Sequence, residues 1–504
     1  MLNGLAQGLA TALLPINLAM VLAGCLIGTA IGMIPGLGPI TAIALMIPLT
    51  YELDPASALI LMAGVYYGAV FGGSTSSILI NAPGESSSVA TAFDGYPLAR
   101  QGHAGKALAI AAYGSFAGGT IAAVFLLVAA PALAKVALAF HSPDYFAIAV
   151  FALAAVSAFA ARGQLAKGVA MVVLGLMLAT VGQDVASDVP RFTFGTLELL
   201  DGIDFVLLAM AIFALSEALL GVLRPELGAN EALPTPTLRS LRLSRNETRE
   251  ILPTMGRSSI LGFLIGILPG AGATIASFLA YSMERAIAPA AERARFGRGS
   301  LRGLAAPETA SGAACTGAFV PLLTLGVPGS GTTAVILAAL LSYGVQPGPR
   351  LVLDRPDVFW SVIVSMYIGN LVLLVLNLPL IPQIARVLAV PSRMLAPLVV
   401  FFSVMGVYVT TLSPFDLTVM VAIALAATLL RLLDYPMPPL ALAFVLGPMM
   451  EENLRRAVIL YDGSFSFLWT RPVPIVVGSL MAAIVGWRLW TTLRARRVVP
   501  SGSG

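Results

Sequence analysis

The sequence predicts an all-α polytopic membrane protein: two inverted repeats with Pro-Gly-broken helices and re-entrant hairpins, in about 12 embedded segments. Three observations predict it. Of 504 residues, 58% are hydrophobic and 11% charged, with a mean hydropathy of +0.91, whereas a soluble domain carries about 25% charged residues. Uncharged runs cover residues 1–51, 56–84, 107–134, 258–283, 309–349, 358–385 and 394–415, and about 20 apolar residues make a span. Pro-Gly motifs recur in the same order in both halves. Apolar residues run on without the strict alternation of a transmembrane barrel, which excludes that class.

Taken in order, the first half predicts spans at 13–34, 39–50, 56–80, 107–134, 144–161, 167–183 and 203–223. The first basic residue is Arg100, so the leading apolar segment lacks the basic flank of a cleaved signal and is expected to stay in the membrane. A polar stretch at 225–256, with Pro225, Pro234, Pro236, Arg239, Arg242, Arg245 and Arg249, is expected to be a cytoplasmic linker. It separates an N-terminal membrane repeat, 1–224, from a C-terminal one, 257–504. The second half predicts segments at 258–268, 271–283, 306–327, 330–345, 357–380, 395–412, 415–433 and 472–490. Residues 436–450 are too short and too Pro-rich for an ordinary span. Trp487 and Trp490, beside Arg488 and Arg494, fit an interfacial anchor.

Gly28, Gly32, Pro35, Gly36 and Gly38 match Gly262, Gly266, Pro269, Gly270 and Gly272, each at an offset of 234. Further on, the Pro83–Gly84 pair matches Pro328–Gly329. In the first half the pairs are 48 residues apart and in the second 59, because an Arg-rich loop at 285–302 intervenes. The first motif lies between an uncharged N-terminus and Glu52/Asp54; the second lies between Arg257 and Arg285. Arg-rich short loops prefer the cytoplasm, so the second hairpin is expected to open inward and the first outward. That is inverted topology.

Proline removes a backbone donor and glycine admits positive φ, so a helix stops at such a pair. Irregular backbone at membrane depth survives where it lines a cavity. A restarting helix presents unpaired N–H groups, an anion site made of backbone. Paired interrupted helices in two repeats point to a transporter's substrate site. The candidate binding residues are therefore Pro35, Gly36, Gly38, Asn81, Pro83, Gly84, Pro269, Gly270, Gly272, Pro328 and Gly329, with hydroxyls Ser74, Thr75, Ser76, Thr324 and Ser330. Two roles fit the hydroxyls: contact with substrate or Na⁺, or hydrogen bonds between helices. Candidate ion-coupling residues are Glu85, Asp94, Glu308, Thr332 and Thr333, since an intramembrane carboxylate is a proton or cation site by default. Solvated-loop positions for Glu85 and Asp94, and a helix cap for Glu308 after Pro307, fit as well.

At these motifs the chain resembles a known family. GMIPGLGPITAIALMIPLTY, YYGAVFGGSTSSILINAPGES, TAFDGYPLARQG, PGAGATIASFLAY, FGRGSLRGLAAPETA and PLLTLGVPGS look like the large permease subunit of the tripartite tricarboxylate transporters, the TctA type. The resemblance covers roughly residues 15–455; CTGAF at 315–319 is a local departure. It implies a multi-pass carrier of the bacterial inner membrane with two partners, a small membrane subunit and a periplasmic solute-binding protein. It also implies uptake of citrate or related carboxylates on a Na⁺ or H⁺ gradient. Importing a dianion against 100 mV costs about 4.6 kcal/mol and a trianion about 7, so cations must enter too.

Other classes find less support. Net charge is +4 with arginines scattered between spans, which offers nucleic acid no basic patch. Cys25 and Cys315 lie in apolar runs, and His103 and His141 have no ligand-spaced neighbours, so neither a resident metal nor a cofactor is expected. No GxSxG, HExxH or GxxxxGK[ST] pattern occurs, which argues against an intramembrane enzyme or an ATPase. A carrier for an aromatic acid or neutral solute on the same scaffold, and a passive channel, remain as alternatives.

Overall fold

The computed structural model describes residues 2–34, 37–81, 83–159, 165–184, 187–223, 238–269, 272–384 and 392–482. The first half contains α1 (Leu2–Ala12), α2 (Pro15–Gly32), α3 (Pro39–Thr50), α4 (Pro55–Ile80), α5 (Val89–Leu98) and α6 (Ala104–Ala137). It continues with α7 (Ser142–Phe159), α8 (Leu165–Ala179) and α9 (Phe205–Leu223). Between α8 and α9, β1 (Gly182–Gln183) and β2 (Pro190–Arg191) pair antiparallel with Gly182 opposite Arg191. The second half opens with α10 (Arg245–Ile267), α11 (Gly272–Ile287), α12 (Leu301–Gly317), α13 (Phe319–Leu325) and α14 (Gly331–Ser342). It closes with α15 (Pro356–Ile384), α16 (Ser392–Thr411), α17 (Pro414–Leu432), α18 (Pro438–Leu460) and α19 (Pro472–Ala482).

This is an all-α, multi-pass membrane protein. Among the described residues, six helical runs are long and apolar enough to cross a bilayer, namely 15–32, 55–80, 86–137, 205–223, 356–376 and 414–432. By contrast α3 and α14 have 12 residues each, about 18 Å of helix, which reaches only halfway across a core of about 30 Å. Local chemistry sets the boundaries. Proline occupies the first turn of α2, α3, α4, α17 and α18, where its missing N–H costs nothing. Asp54 caps α4 at the Ala56 N–H, 3.0 Å away. Capping boxes open α10 (Ser244–Glu247) and α14 (Ser330–Thr333). Left-handed residues close α4 at Asn81 (φ 54) and α13 at Gly326 (φ 68).

Two boundaries differ from the sequence expectation. The capping box starts α10 at Arg245, so the last part of the polar stretch 225–256 is helix; residues 224–237 lie outside the described residues. Residues 438–450, expected to be too short and too Pro-rich for an ordinary span, form the first part of the 23-residue α18, which is not among the six apolar runs. That helix runs on through Glu451–Arg456 because its charges are paired: Arg455 reaches Asp184 at 2.6 Å, and Arg191 reaches Glu451 at 2.9 Å. The Trp487 and Trp490 anchor lies outside the described residues.

At the centre stands α4, buried at every residue from Ala56 to Leu79. With no face toward lipid, it carries Ser74–Ser77 without exposing a hydroxyl to hydrocarbon. It packs on α2 through glycine: a Cβ on Gly28 would lie 2.8 Å from Val65 Cα, nearer still to its carbonyl oxygen. The second half repeats the contact, since a Cβ on Gly262 of α10 would lie 2.7 Å from Ala310 Cα of α12. Gly28 and Gly262 differ by 234 and their partners by 245. Gly32 against Ala69 and Gly266 against Ala314 follow the same two offsets. In lipid, where apolar burial does not drive helices together, such close backbone approach supplies the packing energy.

Polar ties gather the loops at the two ends of α6. At its start, Lys106 bonds Glu247 at 2.5 Å and Gln101 bonds the Arg298 carbonyl at 2.9 Å. Burial pushes Glu247 up, but Lys106 and the backbone and hydroxyl of Ser244 outweigh it and bring the carboxyl down to about 2. Just past the other end of α6, Arg471 clasps Asp144 at 2.7 Å.

Candidate functional site

Four helix starts meet. They are the starts of α3, of the 3₁₀ turn Ser86–Ser88 leading into α5, of α11 and of α14. A Cβ on Gly38 would lie 3.7 Å from Glu85 Cβ, and one on Gly272 would lie 3.7 Å from Ser330 Cβ. Ser86 Oγ and Thr274 Oγ1 are 2.8 Å apart. A Cβ on Gly331 would lie 3.1 Å from Ile40 Cδ1. Each start therefore touches two others and the ring closes. The offsets 234 and 245 turn Gly38–Glu85 into Gly272–Ser330, and they make Ile40–Gly331 the image of Thr274–Ser86. Glu85, Thr274 and Ser330 are half-buried and Ser86 is exposed, so the ring opens onto a crevice.

The other expected residues fall around this ring. Gly84 is pressed against the Gly32 carbonyl, and a Cβ on Gly329 would lie 3.1 Å from the Gly266 oxygen. Pro328 is buried, Pro83 and Pro269 are half-buried, and Asn81 is exposed as the α4 cap. Pro35, Gly36 and Gly270 lie outside the described residues.

The hydroxyls bond carbonyls of their own helices. Ser74 donates to the Val70 carbonyl at 3.2 Å, Thr75 to Phe71 at 3.2 Å, Ser76 to Gly73 at 3.0 Å and Thr324 to Val320 at 2.7 Å. A hydroxyl whose proton is spent on its own helix offers only lone pairs, which suit a cation or an acid proton. Thr333 and Ser330 cap one another across the first turn of α14, and Thr332 is buried beside them. Donors for a carboxylate are thus mainly the free backbone N–H groups of the helix starts.

The three acids separate. Glu85 sits in the ring and accepts from Ser87, whose Oγ lies 3.2 Å from that of Ser311 on α12. Glu308 is buried behind it, 1% exposed, held by Thr91 of α5 and by Ser115 of α6 at 3.2 Å. Asp94 stands apart: its Oδ1 accepts the N–H groups of Gly297 (2.9 Å), Gly299 (2.9 Å) and Ser300 (2.7 Å). It anchors the Arg-rich loop to α5. Asp94→Ala strands three donors and is expected to cost about 2–4 kcal/mol. A lower unfolding midpoint and faster tryptic cleavage at Arg298 would register it.

Sequence reasoning missed Thr91, Ser115, Thr274 and Ser311, which complete the polar lining. Ser and Thr are frequent in membrane helices, and only knowing which faces meet singles these out. Among the described residues, no group of three His, Cys, Asp or Glu forms a metal cluster.

Residues 18–442 match the model of the family described as "Tripartite tricarboxylate transporter TctA family". The chain belongs to that family. It is accordingly a large subunit of the tripartite tricarboxylate transporter type, part of a system with other subunits, and a transporter rather than an enzyme by family. The region matched to TctA contains all four helix starts and Glu308, and ends within α18. An Agrobacterium vitis protein described as "Uncharacterized 52.8 kDa protein in TAR-I ttuC' 3'region" is 42% identical over 497 residues, covering 99% of this chain and 98% of its own length. A second Agrobacterium vitis protein, "Uncharacterized protein in TAR-II ttuC' 3'region", is 39% identical over 236 residues, covering 47% of this chain and 97% of itself. No solved structure matches the chain.

Proposed function

We propose that the protein is the permease of an ion-driven uptake system for citrate or a related carboxylate, in the bacterial inner membrane. A periplasmic binding protein delivers the substrate and a small membrane subunit completes the complex. The observation that carries this reading is the closed ring of four helix starts, which contains no Lys or Arg. Positive helix ends bind carboxylate oxygens through backbone N–H groups. Without a fixed cation there, co-transported Na⁺ or H⁺ neutralises the substrate, and release of both becomes coupled.

Inverted repeats fit the same contacts. Lys106–Glu247, Gln101–Arg298 and Asp94–Ser300 gather the loops rich in Arg, which supports a cytoplasmic side for that end. The α10–α11 hairpin opens there, through Arg257 paired with Glu284 at 2.8 Å. The α2–α3 hairpin opens at the other end, where Thr50 meets Tyr343 at 2.6 Å. Cysteine labelling is expected to find positions 52 and 285 on opposite faces.

Reconstitution with both partner subunits tests the function. Labelled citrate is expected to accumulate only when an inward Na⁺ or H⁺ gradient is imposed. Uptake of an aromatic acid or a neutral solute in a substrate screen, with no carboxylate uptake, would overturn the assignment.

A further inference from the structure

Resting on that reading of the ring, we propose that Glu308 carries the coupling proton, and that the cavity behind Ser115 holds the water through which it exchanges. Thr91 and Ser115 hold its two oxygens and Ser74 lies against it, so α4, α5 and α6 each present a hydroxyl. No Lys, Arg or His is paired with it among the described residues. An unpaired buried carboxylate costs several kcal/mol, a cost that a bound cation or proton removes.

A proton fits these partners better than Na⁺. A metal ion needs several oxygen lone pairs aimed at one point, whereas Thr91 and Ser115 aim their hydrogens at the carboxylate. A proton needs one hydroxyl to turn from donor to acceptor. Glu308 also breaks the repeat: at the offset of 245 its counterpart on α4 is Ala63. The scaffold therefore does not require an acid here.

Ser115 faces two ways. Its Oγ contacts Glu308, and it also lines a cavity with Tyr67, Gly312, Cys315, Asn370 and Leu373. Asn370 is 4% exposed and its Nδ2 has no partner among the described residues. Both residues line a space that admits a water, and a water bound there would bridge the unpartnered amide and the Ser115 hydroxyl. A proton from solvent protonates that water. The water gives a proton to Ser115 Oγ as the Ser115 O–H bond breaks and its hydrogen forms an O–H bond at Glu308. This leaves the water and the hydroxyl neutral, and the reverse path releases the proton. On the other side, Glu85 lies within Coulombic range of Glu308. Proton binding at Glu308 removes negative charge from behind the ring, where the anionic substrate arrives.

Other titratable groups on the elements packed against α12 are engaged elsewhere. On α6, Lys106 pairs with Glu247; Arg257 of α10 pairs with Glu284 of α11. On α5, Asp94 holds the 297–300 backbone, and on α11 Tyr281 packs against Phe93. On α4, Tyr67 bonds Thr316 at 3.0 Å and Tyr66 stacks on it. Cys315 is on α12 itself, and Tyr113 of α6 is exposed.

The test is citrate transport by the complete complex carrying Glu308→Gln. Losing one coupled proton at 100 mV is expected to lower accumulation about 50-fold and to flatten its pH dependence. Citrate counterflow, which needs no net ion movement, is expected to persist. Ser115→Ala and Asn370→Leu, milder changes that keep the acid, are expected to slow proton-driven uptake while sparing counterflow. Unchanged proton-driven accumulation in Glu308→Gln overturns the proposal, as does wild-type accumulation driven by Na⁺ alone at every pH. Absence of counterflow in the wild-type complex would instead overturn the transport reading beneath it. If Glu308→Gln fails to insert, wild-type rates in Ser115→Ala and Asn370→Leu overturn the water path and with it the proposal.

Discussion

A Ser86→Cys/Thr274→Cys protein, in a background lacking Cys25 and Cys315, is expected to cross-link almost completely within one chain under mild oxidation. Carboxylate uptake is expected to fall by more than about 100-fold and to recover on reduction if, as proposed, substrate passes between these helix ends. The two hydroxyl oxygens are 2.8 Å apart, and sulfur's longer bonds to carbon bring the pair into the range of a disulfide. The cross-link joins the two halves at the point where both contribute a helix start. Ile40→Cys/Gly331→Cys, the image of that pair, is expected to behave alike. Cross-linking by one pair and not the other would break the correspondence of contacts that the substrate site rests on. Complete cross-linking with undiminished uptake would show that the ring does not open during transport.

Much of this arrangement was legible in sequence because the membrane simplifies the code. Uncharged runs located α2, α4, α6 and α15, and predominantly apolar stretches located α9 and α17. Pro-Gly pairs located the interruptions, since only they stop a helix in hydrocarbon without a charged or polar signal. What the chain could not announce was contact across long separations. Asp94 and Ser300 are bonded across 206 residues, so the loop anchored by the aspartate is not legible from its neighbours in sequence. The hydroxyl series Ser74–Ser76 fits both substrate or Na⁺ contacts and bonds between helices, but a helix interior lets each donate backward to its own carbonyls. The length of α18 was hidden for a related reason. Glu451–Arg456 looks like a loop until Asp184 and Arg191, brought in by the hairpin β1–β2, neutralise it.

Gly262→Ala and Gly256→Ala, six residues apart on α10, are expected to shift stability in opposite directions. At Gly262 the added methyl meets backbone of α12, which cannot turn aside as a side chain does, so the two helices must separate along their length. A cost of about 1–3 kcal/mol is expected, and more for Gly262→Leu, which is expected to prevent recovery of folded protein. Nothing lies within 4 Å of a Cβ on Gly256, so there the change only removes chain entropy and is expected to stabilise by up to about 1 kcal/mol. Unfolding midpoints in detergent measure both. The matched test is Gly28→Ala, whose methyl would meet Val65 of α4 as that on Gly262 meets Ala310 of α12. Similar losses at Gly28 and Gly262 follow if both halves are held by the same backbone-to-backbone contact. That contact also aims each broken helix: α2 and α10 end one turn beyond these glycines, so displacing either tilts the α3 or α11 start out of the ring. Transport is therefore expected to fail in Gly28→Ala and Gly262→Ala at temperatures where the protein is still folded. Uptake that survives as well as the fold does would mean that the helix ends need not be aimed at one another.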